Sequence, residues 1–203
     1  MKRGIWLACV ALILVSTAIA QEANVFLSLR DINTNEAIDD VSIEVTVNGQ
    51  TVSQYVKDEE VLRLRLDKNV YTAEFVVDDI STPGKDYYGK KELFVEESFI
   101  DSVFLFPVGS LRGTVKDKLD NVIDNADLKF DCVPSFPIDF PENADKFGSF
   151  SLEYVPVGSC KVFAGFRDAV GVEEIVIEQG SLTDIEIKLD QSVISEGVKS
   201  YHF

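Results

Sequence analysis

Apolar and polar residues alternate along almost the whole chain after residue 23. The clearest run covers residues 41–48, where apolar Val41, Ile43, Val45 and Val47 are separated by polar residues. Side chains of a β-strand point to opposite faces in turn, so this period of two predicts strands that bury one face. The Asn48-Gly49 pair then predicts a tight turn into a returning strand. No segment keeps a helical period, and we expect an all-β fold.

The alternating segments form two similar series. Residues 38–43 read IDDVSI, and residues 123–128 read IDNADL at an offset of 85 positions. A period of this size indicates tandem domains, since solenoid repeats are only about 20–50 residues long. The junction Pro107-Val108-Gly109-Ser110 separates the series. We predict two tandem β-sandwich domains, residues 21–108 and 109–190, followed by a C-terminal tail of residues 191–203.

The second series contains a predicted hairpin around a Pro156-Val157-Gly158 turn. Its first strand alternates Phe150, Leu152 and Tyr154 with polar residues, and its second alternates Cys160, Val162, Ala164 and Phe166. We expect each of these two sets to face the core of the second domain.

The first 20 residues have the parts of a secretory signal peptide. Basic Lys2 and Arg3 precede an apolar run over residues 5–15, and Ala18-Ile19-Ala20 supplies the small residues of a cleavage site. We expect cleavage after Ala20 and a secreted or cell-surface mature chain without a membrane span. An uncleaved anchor is the alternative, although the apolar run is short against the roughly 20 residues of a span.

Two cysteines, Cys132 and Cys160, remain after this cleavage, because Cys9 lies in the apolar run of the leader. An even pair in an exported chain predicts one disulfide. Both cysteines are in phase with the apolar positions of their strands, so the geometry permits the bond.

Residues 78–91 form the longest irregular segment of the first series. A loop of this length in a compact β domain is often functional. It contains the adjacent tyrosines Tyr87 and Tyr88, whose flat rings would suit a sugar or a partner protein, and these are the predicted contact residues. In the alternative interpretation one tyrosine covers the edge of the core and the other is solvated.

The chain is acidic, with 35 Asp and Glu against 19 Lys and Arg and a formal net charge of −16 at pH 7. Repulsion from phosphate argues against nucleic acid as a partner. The densest carboxylates are Asp117, Asp120, Asp124 and Asp127, with a second group at Asp139, Glu142 and Asp145. Calcium needs about six to eight converging oxygens, and neither group has the spacing of an EF-hand loop. We therefore expect solvated acidic loops and no metal site.

Catalytic chemistry has little support in the residue pattern. The single histidine, His202, is next to last in the chain, so a Ser-His-Asp or Cys-His arrangement would have to recruit the end of the tail. There is no Gly-rich phosphate loop of standard spacing. We predict no catalytic residues and no cofactor.

Several segments of the second series resemble the carboxypeptidase regulatory-like family. These are Gly113-Thr114-Val115, residues 122–128, residues 145–152 and Val157-Gly158-Ser159-Cys160, with Cys160 standing where that family usually has tyrosine. The first series is similar to it more weakly, since Asp58-Glu59-Glu60 replaces the family's Gly-containing turn. The resemblance implies an immunoglobulin-like or transthyretin-like β-sandwich, and domains of that family are usually non-catalytic accessories.

These observations predict an exported, non-enzymatic structural or adhesive module at the cell surface, whose partner is a protein or a glycan. Two alternatives stay open at this point. One is a module that binds a carbohydrate or another small ligand, with Tyr87 and Tyr88 as the contact. The other is an accessory subunit of a secreted enzyme.

Overall fold

The computed structural model describes residues 22–57, 61–135 and 138–190, and within these ranges every regular element is a β-strand. The predicted signal peptide, the triplet Asp58-Glu59-Glu60 and the predicted tail with His202 lie outside the described residues. The strands are β1 (Glu22–Asp31), β2 (Val41–Val47), β3 (Gln50–Val56), β4 (Leu62–Asp67), β5 (Asn69–Val77), β6 (Tyr87–Val95), β7 (Phe99–Lys116), β8 (Asp127–Val133), β9 (Ser149–Pro156), β10 (Gly158–Phe166), β11 (Ala169–Ile177) and β12 (Leu182–Lys188).

The first half of the molecule, residues 22–107, packs two groups of strands face to face. In one group β1 lies between β4, which is antiparallel to it, and the beginning of β7, which is parallel to it. The other group has the order β3-β2-β5-β6. The predicted alternation holds here, because every second residue of β1, β2 and β5 contributes to one core that includes Leu27, Ile43 and Phe75.

The second half, residues 108–190, has the same pattern of strand pairing. The end of β7 pairs antiparallel with β9 and parallel with β12. In the first half β1 has the same two kinds of neighbour, since it pairs antiparallel with β4 and parallel with the beginning of β7. Strands β8, β10 and β11 pair as β2, β5 and β6 do. A second core contains Leu111, Val162 and Ile187. Strand β3 has no counterpart among the described strands of this half.

The connections after the first strand of each half also have similar backbones. Asn35 and Asp40 have positive φ angles of 60° and 54°, and Asp120 and Asn125, 85 positions later, have 64° and 50°. Asn and Asp tolerate this left-handed conformation better than other residues with a side chain. The offset seen in the sequence therefore recurs in the turn geometry, while the division into two domains stays a prediction.

The predicted domain junction is neither a turn nor a loop. Residues 107–110 lie inside β7, which is continuous from Phe99 to Lys116 and contributes to both halves. Pro107 is accommodated in the strand, where it pairs with Tyr87 of β6. The two halves therefore share one strand.

The predicted phase of β9 is wrong at Tyr154. Phe150 and Leu152 face the second core, but the register with β7 shifts between Gly109 and Leu111 and leaves one extra residue in β9. Such a bulge reverses the alternation of side chains beyond it. Val155 is consequently buried in the second core, and Tyr154 packs in a separate cluster between the halves.

The predicted disulfide is present. Cys132 of β8 and Cys160 of β10 face each other in the register of the two strands, with their Cα atoms 4.0 Å apart, and are bonded to each other. Both residues belong to the second core, where Cys160 is fully buried. The bond joins residues 28 positions apart in the sequence.

We expect this disulfide to stabilise the second half by about 3 kcal/mol, because it restricts the unfolded chain. Denaturant unfolding of the oxidised protein, compared with the reduced protein and with the Cys132→Ala/Cys160→Ala double variant, measures the difference. Alkylation of unreduced protein followed by mass spectrometry should find neither thiol modified. Two alkylated cysteines would contradict the assignment.

Candidate functional site

The predicted contact residues Tyr87 and Tyr88 lie in a strand and not in a loop. The connection between β5 and β6 covers only residues 78–86, and Tyr87 and Tyr88 begin β6. There they pair on one side with Val77 and Val76 of β5, and on the other with β7. Aromatic residues favour strands, because their rings pack against the side chains of neighbouring strands on the same face of the sheet.

Tyr88 is buried between the two halves, with 3% of its surface exposed. Its ring stacks on Tyr154 of β9, with ring centroids 4.3 Å apart and planes inclined by 23°. Val76 and Val108 are buried in the same cluster, and Phe106 and Ile138 pack against it. One face of the Tyr88 ring is therefore occupied by the second half of the protein itself.

Polar contacts hold the Tyr88 ring in this position. Its hydroxyl donates a hydrogen bond of 2.5 Å to Glu74 Oε1 on β5. Lys90 Nζ lies 3.7 Å from the same oxygen and 5.7 Å from the centroid of the Tyr88 ring. Burial, with Glu74 as the second cause, raises the pKa of Tyr88, and burial also raises that of Tyr154. Both phenols therefore stay neutral at physiological pH.

Tyr87 points to the opposite side of β6. It is half-buried and packs against the core of the first half. Burial is the main cause that raises the pKa of Tyr87. Neither tyrosine of the pair has the solvated position of the alternative interpretation, and the proposed ligand contact at Tyr87 and Tyr88 stays a prediction.

The connection of residues 78–86 and the turn of residues 178–181 form a clasp across the end of the first half. Gly84 N donates to Gly180 O at 2.8 Å, and Gly180 N donates to Val108 O at 3.0 Å. Val108 N in turn donates to Asp86 O at 2.9 Å. Backbone atoms of β7, the connection and the turn thus form one hydrogen-bonded set. The long connection therefore serves in the fold to tie β7 to the turn of residues 178–181.

A buried carboxylate shapes the connection. Asp86 is 7% exposed, and its Oδ2 accepts hydrogen bonds from Asp79 N at 2.7 Å and from Thr82 Oγ1 at 2.9 Å. A buried carboxylate is tolerated when donors satisfy it in this way. The side chain is therefore committed to the clasp and is not open to a ligand.

Two glycines allow the segments of the clasp to approach. A Cβ on Gly84 would lie 2.0 Å from Ser181 O, which is a clash with backbone. Gly180 has a φ of +65°, and a Cβ there would lie 2.5 Å from Asp86 Oδ1. Glycine is required at both positions by the close approach, and at Gly180 also by the left-handed backbone.

Ser110 joins the clasp to the bulge in β9. Its hydroxyl donates to Glu153 O at 3.0 Å and accepts a hydrogen bond from Lys85 N at 3.2 Å. The extra residue of β9 therefore has a polar partner in β7, and the same contact reaches the connection of residues 78–86. The bulge that turns Tyr154 toward Tyr88 is thus linked to the clasp through Ser110.

A groove of about 660 Å³ lies beside β7, β9 and β12. Its wide, open lining includes Arg112, Asn143 and the carboxylates of Asp145 and Asp184. The Asp145 carboxylate is already used, because its Oδ1 accepts hydrogen bonds from Phe147 N and Ser149 N in its own turn.

The carboxylates of the described residues do not converge on a cation site. No three His, Cys, Asp or Glu side chains there come together in a way that could hold a metal ion. Asp117, one of the carboxylates considered for calcium, accepts backbone hydrogen bonds from Leu119 and Asn121 in its own turn. The side-chain hydrogen bond with Asn121 is the main cause that lowers the pKa of Asp117, and these backbone bonds add to it.

Within the described ranges there is no helix that is long and apolar enough to cross a membrane.

No protein-family model and no curated protein matches the chain, so the resemblance to the carboxypeptidase regulatory-like family is not confirmed. Among solved structures, the Bacillus anthracis TIE protein matches 83% of this chain and 34% of its own, at 14% identity and a TM-score of 0.37. A streptococcal ancillary pilin matches 86% of this chain and 64% of its own, at 13% identity and a TM-score of 0.33. GBS52, the minor pilin of Streptococcus agalactiae, matches 88% of this chain and 100% of its own, at 12% identity and a TM-score of 0.33.

The chain thus spans about a third of the first of these proteins and less than two thirds of the second. At such identities and TM-scores the matches do not define a family for this chain. What is established is an all-β protein of β-sandwich type with a disulfide.

Most residues of the clasp and of the neighbouring Tyr88 cluster could not be identified from the sequence. Asp86 and Gly180 of the clasp, and Glu74 and Tyr154 around Tyr88, come from four different segments, and most of their contacts join residues far apart in the chain. A local signal existed only for Tyr154, as an aromatic residue in an alternating strand, and the bulge then changed the direction of its side chain.

We expect Tyr88→Ala to lower the free energy of unfolding by about 3–5 kcal/mol, the usual cost of removing a buried aromatic ring. Tyr88→Phe keeps the ring and removes the bond to Glu74, so it should cost only about 1–2 kcal/mol. Phe94→Ala is the matched control, because Phe94 lies on the same strand and is 64% exposed. Chemical denaturation of the three variants measures the order, and a Tyr88→Ala cost no larger than the control's would contradict the buried role of Tyr88 between the two halves.

Proposed function

We propose that this chain is an exported, non-enzymatic structural or adhesive module made of two tandem β-sandwich domains, and that it works by holding its shape under tension. In this proposal the signal peptide is removed after Ala20, and the two domains correspond to residues 21–108 and 109–190. The protein acts at or outside the cell surface, where its partner is another protein or a glycan.

The observation that supports this function is the arrangement of the first and last strands in each half. In the first half β1 is parallel to the beginning of β7 over seven residue pairs. In the second half the end of β7 is parallel to β12, again over seven pairs. When the two ends of such a half are pulled apart, its first and last strands slide past each other along their length.

Sliding loads all the hydrogen bonds between two strands at once, whereas pulling a hairpin open loads them one after another. A structure whose terminal strands are parallel therefore needs a higher force to unfold along the chain than a hairpin that is pulled open and has the same number of hydrogen bonds. Because β7 serves as the last strand of the first half and the first strand of the second, tension passes from one half to the other without an intervening loop.

The clasp supports the same function. It covers the place where β7 leaves the first half, and it ties this strand to residues 78–86 and 178–181 through backbone hydrogen bonds. The Tyr88–Tyr154 stack adds an apolar contact beside it. These contacts limit bending between the halves, as a module that transmits or resists force requires.

Single-molecule force spectroscopy tests this proposal. With handles at residues 22 and 190 we expect high unfolding forces, because both parallel pairs are loaded in shear. The control places the handles at Ser42 and Tyr55, which face each other near the open end of the β2–β3 hairpin, so that the same protein is unzipped at low force. Terminal pulling at forces no higher than those of the control would contradict a mechanical role.

A further inference from the structure

Strand β3 is an open edge of the first half. It is the last strand of its sheet, and in the part of the chain that the structure describes it pairs with β2 alone. An open edge presents unpaired backbone N–H and C=O groups to any other extended chain. Strand β3 is also the strand without a counterpart among the described strands of the second half, so the shared fold does not account for its presence.

The hairpin geometry identifies the backbone groups that point outward. The Asn48-Gly49 turn has two residues with positive φ, and a turn of this length closes on a hydrogen-bonded pair, here Val47 and Gln50. Hydrogen-bonded and non-hydrogen-bonded pairs alternate in an antiparallel ladder. Thr51, Ser53 and Tyr55 therefore turn their N–H and C=O groups away from β2, toward the open edge.

Side chains of β3 leave these groups accessible. Gln54, on the face turned to the core, accepts a hydrogen bond from Arg63 N of β4 at 3.4 Å through its Oε1, so it reaches the other sheet and not across the edge. Val52 and Tyr55, on opposite faces of the strand, are 59% and 56% exposed. An added strand would find a backbone ladder and apolar contact on each face.

The composition of this edge differs from that of the other edges. Residues 47–56 contain no charged residue, in a chain where 27% of residues are charged. The other edge strands of the described ranges carry charges, for example Arg63 and Arg65 on β4 and Glu173 and Glu174 on β11. Charges on an edge are a common protection against pairing with another chain, and β3 lacks that protection.

We propose that β3 pairs with β3 of a second copy of this chain, antiparallel and about a two-fold axis. Ser53 would face its own copy on the axis, and Thr51 would face Tyr55 of the other copy. This register uses all the outward backbone groups identified above and joins the two β3-β2-β5-β6 sheets into one sheet across the dimer.

A second copy suits this edge because a two-fold axis places identical or nearby residues opposite each other. Hydroxyl and amide side chains both donate and accept hydrogen bonds, so serine, threonine and glutamine can each pair with themselves. A lysine or a carboxylate in the same place would meet its own charge, which is destabilising across a strand pair. The uncharged composition is thus what self-pairing requires.

The pairing has to act against the acidity of the chain. Two copies of net charge −16 repel each other, and this repulsion weakens as salt shortens the screening length from about 8 Å at 0.15 M toward about 3 Å at 1 M. One strand per subunit also gives a small interface, which is typical of weak association. We therefore expect a dimer that forms at high protein concentration and becomes stronger with added salt.

Sedimentation equilibrium of the purified protein over a series of protein and salt concentrations measures this association. Ser53→Lys and Ser53→Glu should each raise the dissociation constant at least about tenfold, because like charges then meet on the axis. An equimolar mixture of the two variants should associate again as a heterodimer, since the introduced lysine of one copy then faces the introduced glutamate of the other. Thr72→Lys is the matched control, because Thr72 is exposed on β5, which has paired strands on both sides, and this variant should associate like the wild type.

Three results would overturn the proposal. The first is a wild-type protein that stays monomeric at every concentration and salt condition. The second is association that Ser53→Lys leaves unchanged, which would place the interface elsewhere. The third is a mixture of the two charged variants that does not associate, which would remove Ser53 from the axis. Circular dichroism of each variant confirms that a loss of association does not come from unfolding.

Discussion

The pairing of β7 is the constraint on which the rest of this structure depends. Its beginning is parallel to β1 and closes the first half, and its end is parallel to β12 and opens the second. The strand runs from the first core to the second without a turn, so both halves are built on one continuous backbone segment. The contacts around its middle, with the connection of residues 78–86, the turn of residues 178–181 and the ring of Tyr154, all follow from this shared strand.

The period of two in the sequence is sufficient to predict the strands, because each strand buries one of its faces and shows this alternation on its own. It also placed Cys132 and Cys160 on inward positions, where the register of β8 and β10 brings them together. The Asn48-Gly49 turn formed as predicted, since positive φ at both residues suits a two-residue hairpin. These features depend on local chemistry, which one sequence contains in full.

The candidate site was less predictable because its contacts are made between distant segments. The run of Asp, Ser, Pro and Gly before Tyr87 and Tyr88 predicts a loop, but pairing with β5 and β7 extends β6 to include both tyrosines. The bulge that redirects Tyr154 arises because β9 has one more residue than the part of β7 that it faces. This mismatch depends on both strands and cannot be seen in the sequence of either one alone. Burial of Asp86 likewise depends on donors that its own loop provides only when folded.

Residual dipolar couplings measured by NMR on the partially aligned protein test most directly whether the shared strand and the clasp fix the two halves. We expect the couplings from residues 22–107 and those from residues 108–190 to give one alignment tensor, equal in magnitude and orientation. Two tensors of different magnitude in the wild-type protein would show that the halves move independently, and would contradict the central role assigned to β7 and the clasp.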